Sequence, residues 1–380
     1  MQQFAESWLV KSLTGPKSAF YLSLDVLLGQ LPIILFILIG GVIADRHDRR
    51  RLLTGSQLVQ AFSAFSLAAL VFWSRVSVWQ ILTLSFISGC GQAFGGPAYQ
   101  SMIPSLVPRR DLPNAIALNS SQFNLSRLLG PVTGAAVVVS LGMAACFALN
   151  GASFFFVVAA LAVLKVPPRP VTTRQPLMDE LRGGLRYVRG QRAVLTLTVL
   201  VFFSTFLAMP ISTFLPIFAS DVFTGGGTQG AQTRLAVLMA AQALGAIVGA
   251  LIIGTLTRFK LGRVLFVVLL ILGALIAAFA TSRSWPLSCV LLFVGGIAFM
   301  MVFSISFSLV QLTVPDALRG RVVSIYMVAL RGGWPLGSVV AGSLAVRFGA
   351  PHVMGVNGLL LFLLASGLLI SGRGRSLRQI

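Results

Sequence analysis

Long apolar runs alternate with short polar connections along almost the whole chain. A helix needs about 20 apolar residues to cross a bilayer, and the opening segment, residues 1–13, is apolar but too short. The pattern predicts spanning helices at roughly 20–43, 52–73, 78–103, 114–139, 142–164, 194–220, 234–257, 264–281, 286–312, 321–346 and 351–372. The expected fold class is therefore an all-α integral membrane protein, with eleven complete helices after a truncated first helix.

Composition agrees with a membrane environment. Of the 380 residues, 56% are hydrophobic and only 10% are charged, which is too few charges for the surface of a soluble protein. The formal net charge of +20 does not indicate nucleic-acid binding, because the basic residues lie in short loops between apolar runs. The expected surroundings are a lipid bilayer, and no nucleic acid is expected as a partner.

The basic residues also predict the orientation. Connections on one side of the predicted helices carry 21 Arg and Lys residues, and those on the other side carry 6. Arg and Lys concentrate in cytoplasmic loops. The side richer in Arg and Lys, which includes the C-terminus, is therefore expected to face the cytoplasm. The membrane is expected to be a bacterial plasma or inner membrane.

Residues suited to catalysis or metal binding are sparse. Cys90, Cys146 and Cys289 each lie inside an apolar run, without disulfide or metal-ligand spacing. The two histidines, His47 and His352, fall on opposite sides of the predicted membrane. Neither a phosphate-binding P-loop nor a Gly-x-Ser-x-Gly motif occurs. A membrane-embedded enzyme is the alternative functional class. Because residues suited to catalysis are sparse, no enzyme activity, cofactor or metal is predicted.

The two halves of the chain resemble each other. Four features recur in the same order at offsets of 204 to 207 residues: Gly89 with Gly295, Pro108 with Pro315, Arg127 and Pro131 with Arg331 and Pro335, and Asn150-Gly151 with Asn357-Gly358. A common offset predicts a duplicated six-helix unit. The predicted domains are an N-terminal bundle at 1–164, a linker at 165–193 and a C-terminal bundle at 194–380. The same offset predicts that about a dozen residues of helix one are missing.

The linker contains one further predicted helix. Leu177, Leu181, Leu185 and Val188 recur at helical spacing, with arginines between them. This pattern is typical of a basic amphipathic helix that lies on the membrane surface.

A charged motif separates the second and third predicted helices. Gly41, Asp45, Arg46, Arg49 and Arg50 match the Gly-x-x-x-Asp-Arg-x-Gly-Arg-Arg loop of the major facilitator superfamily, with Asp48 in place of the second Gly. The chain therefore resembles this superfamily, which implies two six-helix bundles. The motif is interpreted as a gate, and the alternative is a basic signal that only sets topology.

Other phrases are similar to one branch of the superfamily. They are Ser7-Trp8-Leu9-Val10, Leu106-Val107-Pro108 with Asp111-Leu112, Arg127-Leu128-Leu129-Gly130-Pro131, Gly184-Leu185-Arg186-Tyr187-Val188 and Arg319-Gly320-Arg321-Val322. On these phrases the chain is identified as a member of the transmembrane secretion effector group, whose relatives include the enterobactin exporter and macrolide efflux proteins.

The fifth predicted helix carries a second motif. Gly130, Pro131 and Gly134, with Arg127 one turn earlier, resemble the Gly-Pro-x-x-Gly motif that the superfamily links to export by antiport. Pro131 removes a backbone donor and can kink the helix. The glycines allow another helix to approach, so an ordinary packing seam is the alternative.

Four charges fall inside predicted helices: Glu6, Asp25, Arg127 and Arg331. Intramembrane charges are energetically unfavourable and are therefore candidate functional groups. Glu6 and Asp25 are the proton-coupling candidates, although Asp25 fits a solvated acid near the membrane surface as well. The arginines are explained equally well by structural pairing or snorkelling.

Neutral polar side chains form stripes on three helices. The candidates for a substrate cavity are Gln92, Tyr99, Asn119, Gln122, Ser304, Gln311 and Arg331. Polar stripes in lipid indicate a water-filled path or hydrogen bonds between helices.

The predicted function is proton-coupled export of a small amphipathic molecule by alternating access, carried out by a monomer. The predicted partners are therefore a small-molecule substrate and protons. One alternative is an uptake permease with another coupling ion, and a second is a transport-inactive scaffold or receptor.

Overall fold

The computed structural model describes residues 1–46, 48–164, 177–223, 225–253 and 260–370, which fold as α-helices without a strand. The helices in the N-terminal half are α1 (Gln2–Thr14), α2 (Ser18–Arg46), α3 (Arg49–Phe72), α4 (Val78–Leu106), α5 (Leu112–Leu141) and α6 (Met143–Val163). Those that follow are α7 (Leu177–Gly190), α8 (Arg192–Ala208), α9 (Pro210–Ile217), α10 (Gly227–Ile253), α11 (Leu261–Thr281), α12 (Trp285–Thr313), α13 (Asp316–Phe348) and α14 (Ala350–Ile370).

Most of these helices are long and apolar enough to cross a membrane. Nine stretches meet both criteria within the described residues. In addition, α4 and α13 reach bilayer length as continuous helices of 29 and 33 residues. The predicted all-α membrane fold is confirmed.

The chain forms two compact units. The first unit comprises residues 1–173 with 228–236, and the second comprises 174–227 with 237–380. The predicted domains, 1–164, 165–193 and 194–380, stay a prediction. The two units differ from them, because the beginning of α10 groups with the first unit and α7 with the second.

Glycines bring the helices of the first unit together. A methyl group at Gly89 on α4 would overlap the Gly29 carbonyl on α2. A methyl at Gly95 on α4 would overlap the Ser56 side chain on α3. Small residues at such crossings let backbones approach within van der Waals contact, which is the main attraction between helices in lipid.

The second unit repeats one of these crossings. A methyl at Gly296 on α12 would overlap the Gln242 carbonyl on α10, just as one at Gly89 would overlap Gly29. A methyl at Gly295 meets nothing within 4 Å. The predicted match of Gly89 with Gly295 is therefore wrong by one residue, because Gly296 occupies the crossing, at an offset of 207.

The predicted helix at 194–220 is interrupted. α8 ends at Ala208, and α9 begins at Pro210. Pro210 has no backbone N–H to continue the hydrogen-bond ladder, so the chain turns at Met209. A π-helical turn, Phe218–Val222, follows α9.

The linker helix α7 is covered by protein. A methyl at Gly184 would lie 3.0 Å from Ile325 and 3.1 Å from Arg321, both on α13. Val188 is only 2% exposed, and α7 also packs against α8. The predicted helix is present, and its Gly184 and Val188 pack on the second unit, whereas Leu185 is 41% exposed. Its position on a membrane surface stays a prediction.

Candidate functional site

Two acids and a serine meet inside the first unit. The Ser85 hydroxyl on α4 lies within hydrogen-bond distance of the Glu6 carboxylate on α1. The same oxygen is 2.6 Å from Asp25 Oδ1 on α2. Ser85 also lies 3.0 Å from the Ile81 carbonyl, and it is buried. A single hydroxyl thus connects two carboxyl groups that repel each other when both are charged.

The helix crossing explains why these groups meet. Asp25 precedes Gly29 by one turn on α2, and Ser85 precedes Gly89 by one turn on α4. Because Gly29 and Gly89 let the two backbones touch, side chains one turn away are also brought into contact. The carboxylate of Asp25 therefore points to Ser85 and is half-buried, unlike the solvated near-surface acid considered from its position in the sequence.

A second arm extends the polar chain to α6. The Gln2 side chain hydrogen-bonds Glu6, and the Gln2 Oε1 accepts a bond of 2.7 Å from Asn150 Nδ2. Asn150 was recognised in the sequence only as a mark of the internal repeat. Gln2 and Ser85 were missed, although each is a polar residue within an apolar helix.

The second unit lacks this carboxyl pair. Gln242 and Gly296 replace Gly29 and Gly89 at the repeated crossing, so the residues one turn earlier are Leu238 and Leu292. Both leucines are buried. Gln242 and Leu292 line a small cleft of about 30 Å³. The duplicated fold is therefore chemically asymmetric at this depth.

Neutral hydrogen bonds connect two helices of the second unit. Thr213 lies on α9 and is buried. Its hydroxyl is 3.0 Å from Ser338 Oγ and accepts a bond of 3.2 Å from Trp334 Nε1. These bonds hold α9 against α13 without any charge.

The gate motif is partly visible. Arg49 donates to the Ser101 carbonyl on α4 at 3.1 Å, and Arg50 donates to the Ala162 carbonyl on α6 at 2.5 Å. Asp48 accepts from the Arg50 backbone N–H at 2.9 Å and so caps α3. The surroundings of Gly41 and the side chains of Asp45 and Arg46 lie outside the described part of the structure.

The helix-five motif packs against α1. Methyl groups at Gly130 and Gly134 would lie 3.2 Å from Met1 atoms, and Pro131 is buried within α5. The glycines therefore provide a packing seam inside the first unit, as the alternative interpretation proposed.

The structure connects some of the cavity candidates. The Tyr99 hydroxyl on α4 donates to Asn119 Oδ1 on α5, and Gln122 Nε2 donates to Ser126 Oγ at 3.3 Å. Gln92 and Arg331 are exposed, whereas Ser304 and Gln311 are half-buried. No group of His, Cys, Asp and Glu suited to a metal ion occurs within the described ranges.

Comparison with known proteins agrees with this architecture. Residues 1–373 match the sequence profile of the transmembrane secretion effector family. The chain is 24% identical to macrolide efflux protein A of Streptococcus pyogenes over 370 residues, covering 96% of this chain and 89% of that protein. It is 28% identical to the multidrug efflux pump Tap of Mycolicibacterium fortuitum over 350 residues, covering 89% and 83%.

A third relative and two solved structures complete the comparison. The enterobactin exporter EntS of Escherichia coli O1:K1 is 24% identical over 329 residues, covering 86% of this chain and 77% of that protein. The D-xylose-proton symporter superposes with a TM-score of 0.72 at 16% identity, covering 96% and 94%. A bacterial homologue of the human lysosomal transporter Spinster also gives 0.72 at 15% identity, covering 99% and 96%.

The two solved structures share the fold of the chain, and the profile covers nearly all of it. The chain is therefore a multi-pass membrane transporter of the major facilitator superfamily, and within it belongs to the transmembrane secretion effector family.

Proposed function

We propose that this transporter exports small amphipathic molecules in exchange for protons, by alternating access of its two halves. The single observation that carries the proposal is the Ser85 hydroxyl shared by Glu6 and Asp25. The names of the relatives, which are a macrolide efflux protein, a multidrug efflux pump and an enterobactin exporter, support the direction of transport.

Hydrogen-bond counting leads from this contact to a bound proton. A serine hydroxyl has one hydrogen, so Ser85 donates to only one of the two carboxyl groups at a time. The other group completes a hydrogen bond to the hydroxyl oxygen only if it carries its own proton. Two bare carboxylates beside each other in an apolar bundle would also repel. The Glu6–Ser85–Asp25 cluster is therefore suited to hold a proton and release it during turnover.

The asymmetry of the duplicated fold supports the same role. Leu238 and Leu292 occupy the matching crossing in the second unit, so the first unit alone carries the acids there. In the proposed cycle the first unit exchanges the proton, and the rocking of the two halves exposes the substrate to each side in turn. The basic connections are proposed to face the cytoplasm, together with the C-terminus, and the transporter is proposed to act as a monomer.

Other motifs have proposed roles in this cycle. Gly41, Asp45, Arg46, Arg49 and Arg50 are assigned to a gate, and the Arg49 and Arg50 bonds to the ends of α4 and α6 support a latch at this loop. Gly130, Pro131 and Gly134 are proposed to let a kinked, closely packed α5 close one side of the transport path, as the motif linked to antiport implies. Gln92, Tyr99, Asn119, Gln122, Ser304 and Gln311 are assigned to the substrate cavity.

Everted membrane vesicles test the proposal. An imposed pH gradient should drive uptake of ethidium into vesicles that contain the wild-type protein, and ethidium should dissipate the gradient. Glu6→Gln and Asp25→Asn should each remove the dependence on pH. Asp221→Asn is the matched control, because Asp221 lies on the π-helical turn outside the cluster.

Four results would contradict the proposal. Wild-type transport that ignores the pH gradient would exclude proton coupling, and unchanged pH dependence in both acid variants would exclude the cluster. Transport in the opposite direction would identify an uptake permease. Absence of any transport would favour the scaffold or receptor.

A further inference from the structure

We propose that Gln2 and Asn150 are positioning residues that decide where the proton of the Glu6–Ser85–Asp25 cluster is bound. Asn150 orients the Gln2 amide, and the amide holds Glu6 as a carboxylate. The proton of the cluster therefore resides on Asp25. This inference rests on the proposed function and deepens it. All of its contacts lie within the first unit.

The orientation of the Gln2 side chain follows from its two hydrogen bonds. Asn150 Nδ2 on α6 donates to Gln2 Oε1 on α1 at 2.7 Å. The Gln2 side chain also bonds Glu6, which lies one turn later on α1. A glutamine amide has its acceptor oxygen on one side and its NH2 donor on the other. Since the oxygen faces Asn150, the NH2 group donates to the Glu6 carboxylate. This pair, Asn150 and Gln2, is the amide relay.

Packing fixes the position of Asn150. A methyl group at the next residue, Gly151, would lie 2.9 Å from the Phe65 ring on α3. One turn before Asn150, Cys146 Sγ is 3.8 Å from the Gly134 carbonyl on α5. Helix α6 is therefore held between α3 and α5, and it also packs on α1. The Asn150 amide is thus supported by the surrounding helices at the place where it meets α1.

The hydrogens of the cluster then run in one direction. Gln2 donates to Glu6, and the Ser85 hydroxyl can donate its single hydrogen to the same carboxylate. Asp25 lies 2.6 Å from the Ser85 oxygen and completes this bond by donating a proton of its own. Hydrogen bonds to a carboxylate favour its charged form, so Glu6 keeps its charge and Asp25 carries the proton. Release transfers that one proton from Asp25 to water and leaves two carboxylates.

Other ionisable groups surround the acid pair. The charge that acts on Asp25 is that of Glu6, because two carboxylates repel each other. Further groups lie on α1, and on the helices packed against it, within about two helical turns of these contacts. Among the described residues they are the Met1 amino group, Lys11, Tyr21, Cys90, Arg127 and Cys146. These groups are unchanged in every relay variant, so a shift between variants reports the amide relay.

The second unit contains the same asparagine with a different partner. Asn357 is the repeat of Asn150, at an offset of 207. Its Nδ2 donates to the Leu207 backbone carbonyl at 3.2 Å, and this bond joins α14 to α8. Asn357 is therefore a matched control, because its substitution removes a bond between helices and leaves the acids of the first unit untouched.

Infrared spectroscopy of the purified full chain in lipid nanodiscs tests the proposal. The C=O stretch of protonated carboxyl groups is followed across a pH series. Cell-free synthesis with ¹³C-labelled aspartate or glutamate distinguishes Asp25 from Glu6. The band that is lost in Asp25→Asn should shift with labelled aspartate. It should stay in place with labelled glutamate, which is incorporated only at Glu6 and Glu180.

Removal of the relay should make the cluster hold its proton to higher pH. Gln2→Leu removes a donor to the Glu6 carboxylate. The titration midpoint should therefore rise by about one pH unit, which is a tenfold change in proton affinity. Asn150→Leu leaves the Gln2 amide able to turn and should raise the midpoint by less. The double variant should match Gln2→Leu alone, because Asn150 acts through Gln2. Asn357→Leu should titrate like the wild type.

Four results would overturn the assignment. They are a wild-type band that shifts with labelled glutamate, an unchanged midpoint in Gln2→Leu and Asn150→Leu, an equal rise in Asn357→Leu, and a double variant whose rise is the sum of the single ones. Gln2→Met and Asn150→Ala, with the same expected directions, replace any leucine variant whose thermal melting shows loss of the fold.

The vesicle assay separates this proposal from the transport proposal. The expected infrared titration without proton-driven ethidium uptake would contradict the transport proposal alone. Proton-driven uptake in a protein that holds its proton on Glu6 would contradict the assignment to Asp25 alone.

Discussion

Ser85 Oγ on α4 lies 2.6 Å from Asp25 Oδ1 on α2. This contact depends on a helix crossing one turn away, where Gly89 leaves no room for a side chain beside the Gly29 carbonyl. The crossing recurs in the second unit, but its acid and serine are replaced there by Leu238 and Leu292. The packing role of the crossing can therefore be altered separately from the chemistry of the side chains beside it.

Removal of the Ser85 hydroxyl should alter proton coupling and leave the fold intact. Ser85→Ala deletes the group that contacts both Glu6 and Asp25. A hydrogen bond to a charged group contributes about 1.5–3 kcal/mol, so the midpoint of the pH–efflux profile should move by about one pH unit or more. Ethidium efflux measured across a pH series gives this midpoint. Ser88→Ala on the same helix is the control, and an equal shift in that variant would count against a special role for Ser85.

The apolar pair of the second unit should be tolerated in the first. The triple variant Glu6→Gln/Asp25→Leu/Ser85→Leu copies Leu238 and Leu292 into the equivalent crossing and also neutralises Glu6, which would otherwise lose its Ser85 contact. Replacing buried polar groups with apolar ones is often neutral or stabilising, so the thermal midpoint should be retained or raised. Proton-driven efflux should be abolished. A large fall in melting temperature would show that the acids are needed for folding.

Adjacent glycines on α12 should respond differently to alanine. Gly296→Ala should destabilise the protein by about 1–3 kcal/mol, as expected for overpacking, because its methyl would overlap the Gln242 carbonyl. Gly295→Ala should have little effect, since no atom lies within 4 Å of the added methyl. Thermal unfolding in detergent measures both variants. Equal destabilisation would contradict the position of the repeated crossing.

Two acids in the charged loop should have separate roles. Asp48→Ala should destabilise α3 by about 0.5–2 kcal/mol through loss of its N-cap, because Asp48 accepts the Arg50 backbone N–H. Its transport rate should remain close to that of the wild type. Asp45→Asn should instead impair efflux with little loss of membrane insertion. Efflux assays and quantification of the inserted protein distinguish the two, and normal efflux in Asp45→Asn would argue against the gate.

Much of this architecture follows from the order of residues alone. Long apolar runs cross a bilayer as helices, because lipid provides no hydrogen-bond partners and a helix satisfies its own backbone N–H and C=O groups. The asymmetric distribution of arginine predicts orientation, and the recurrence of Asn150 as Asn357 predicts a duplicated bundle. These features are local or periodic, so they can be read without knowing which helices touch.

The contacts between helices needed the tertiary structure. The contact of Ser85 with Glu6 and Asp25 joins residues that are far apart in the chain. It depends on how closely α2 packs against α4. The sequence likewise did not distinguish Gly295 from Gly296, because both are glycines in an apolar run and only one faces Gln242. Hydropathy determines that a helix lies in the membrane, whereas rotation and depth are decided by close packing between backbones. A rotation of one residue would move the hydroxyl out of reach of both acids.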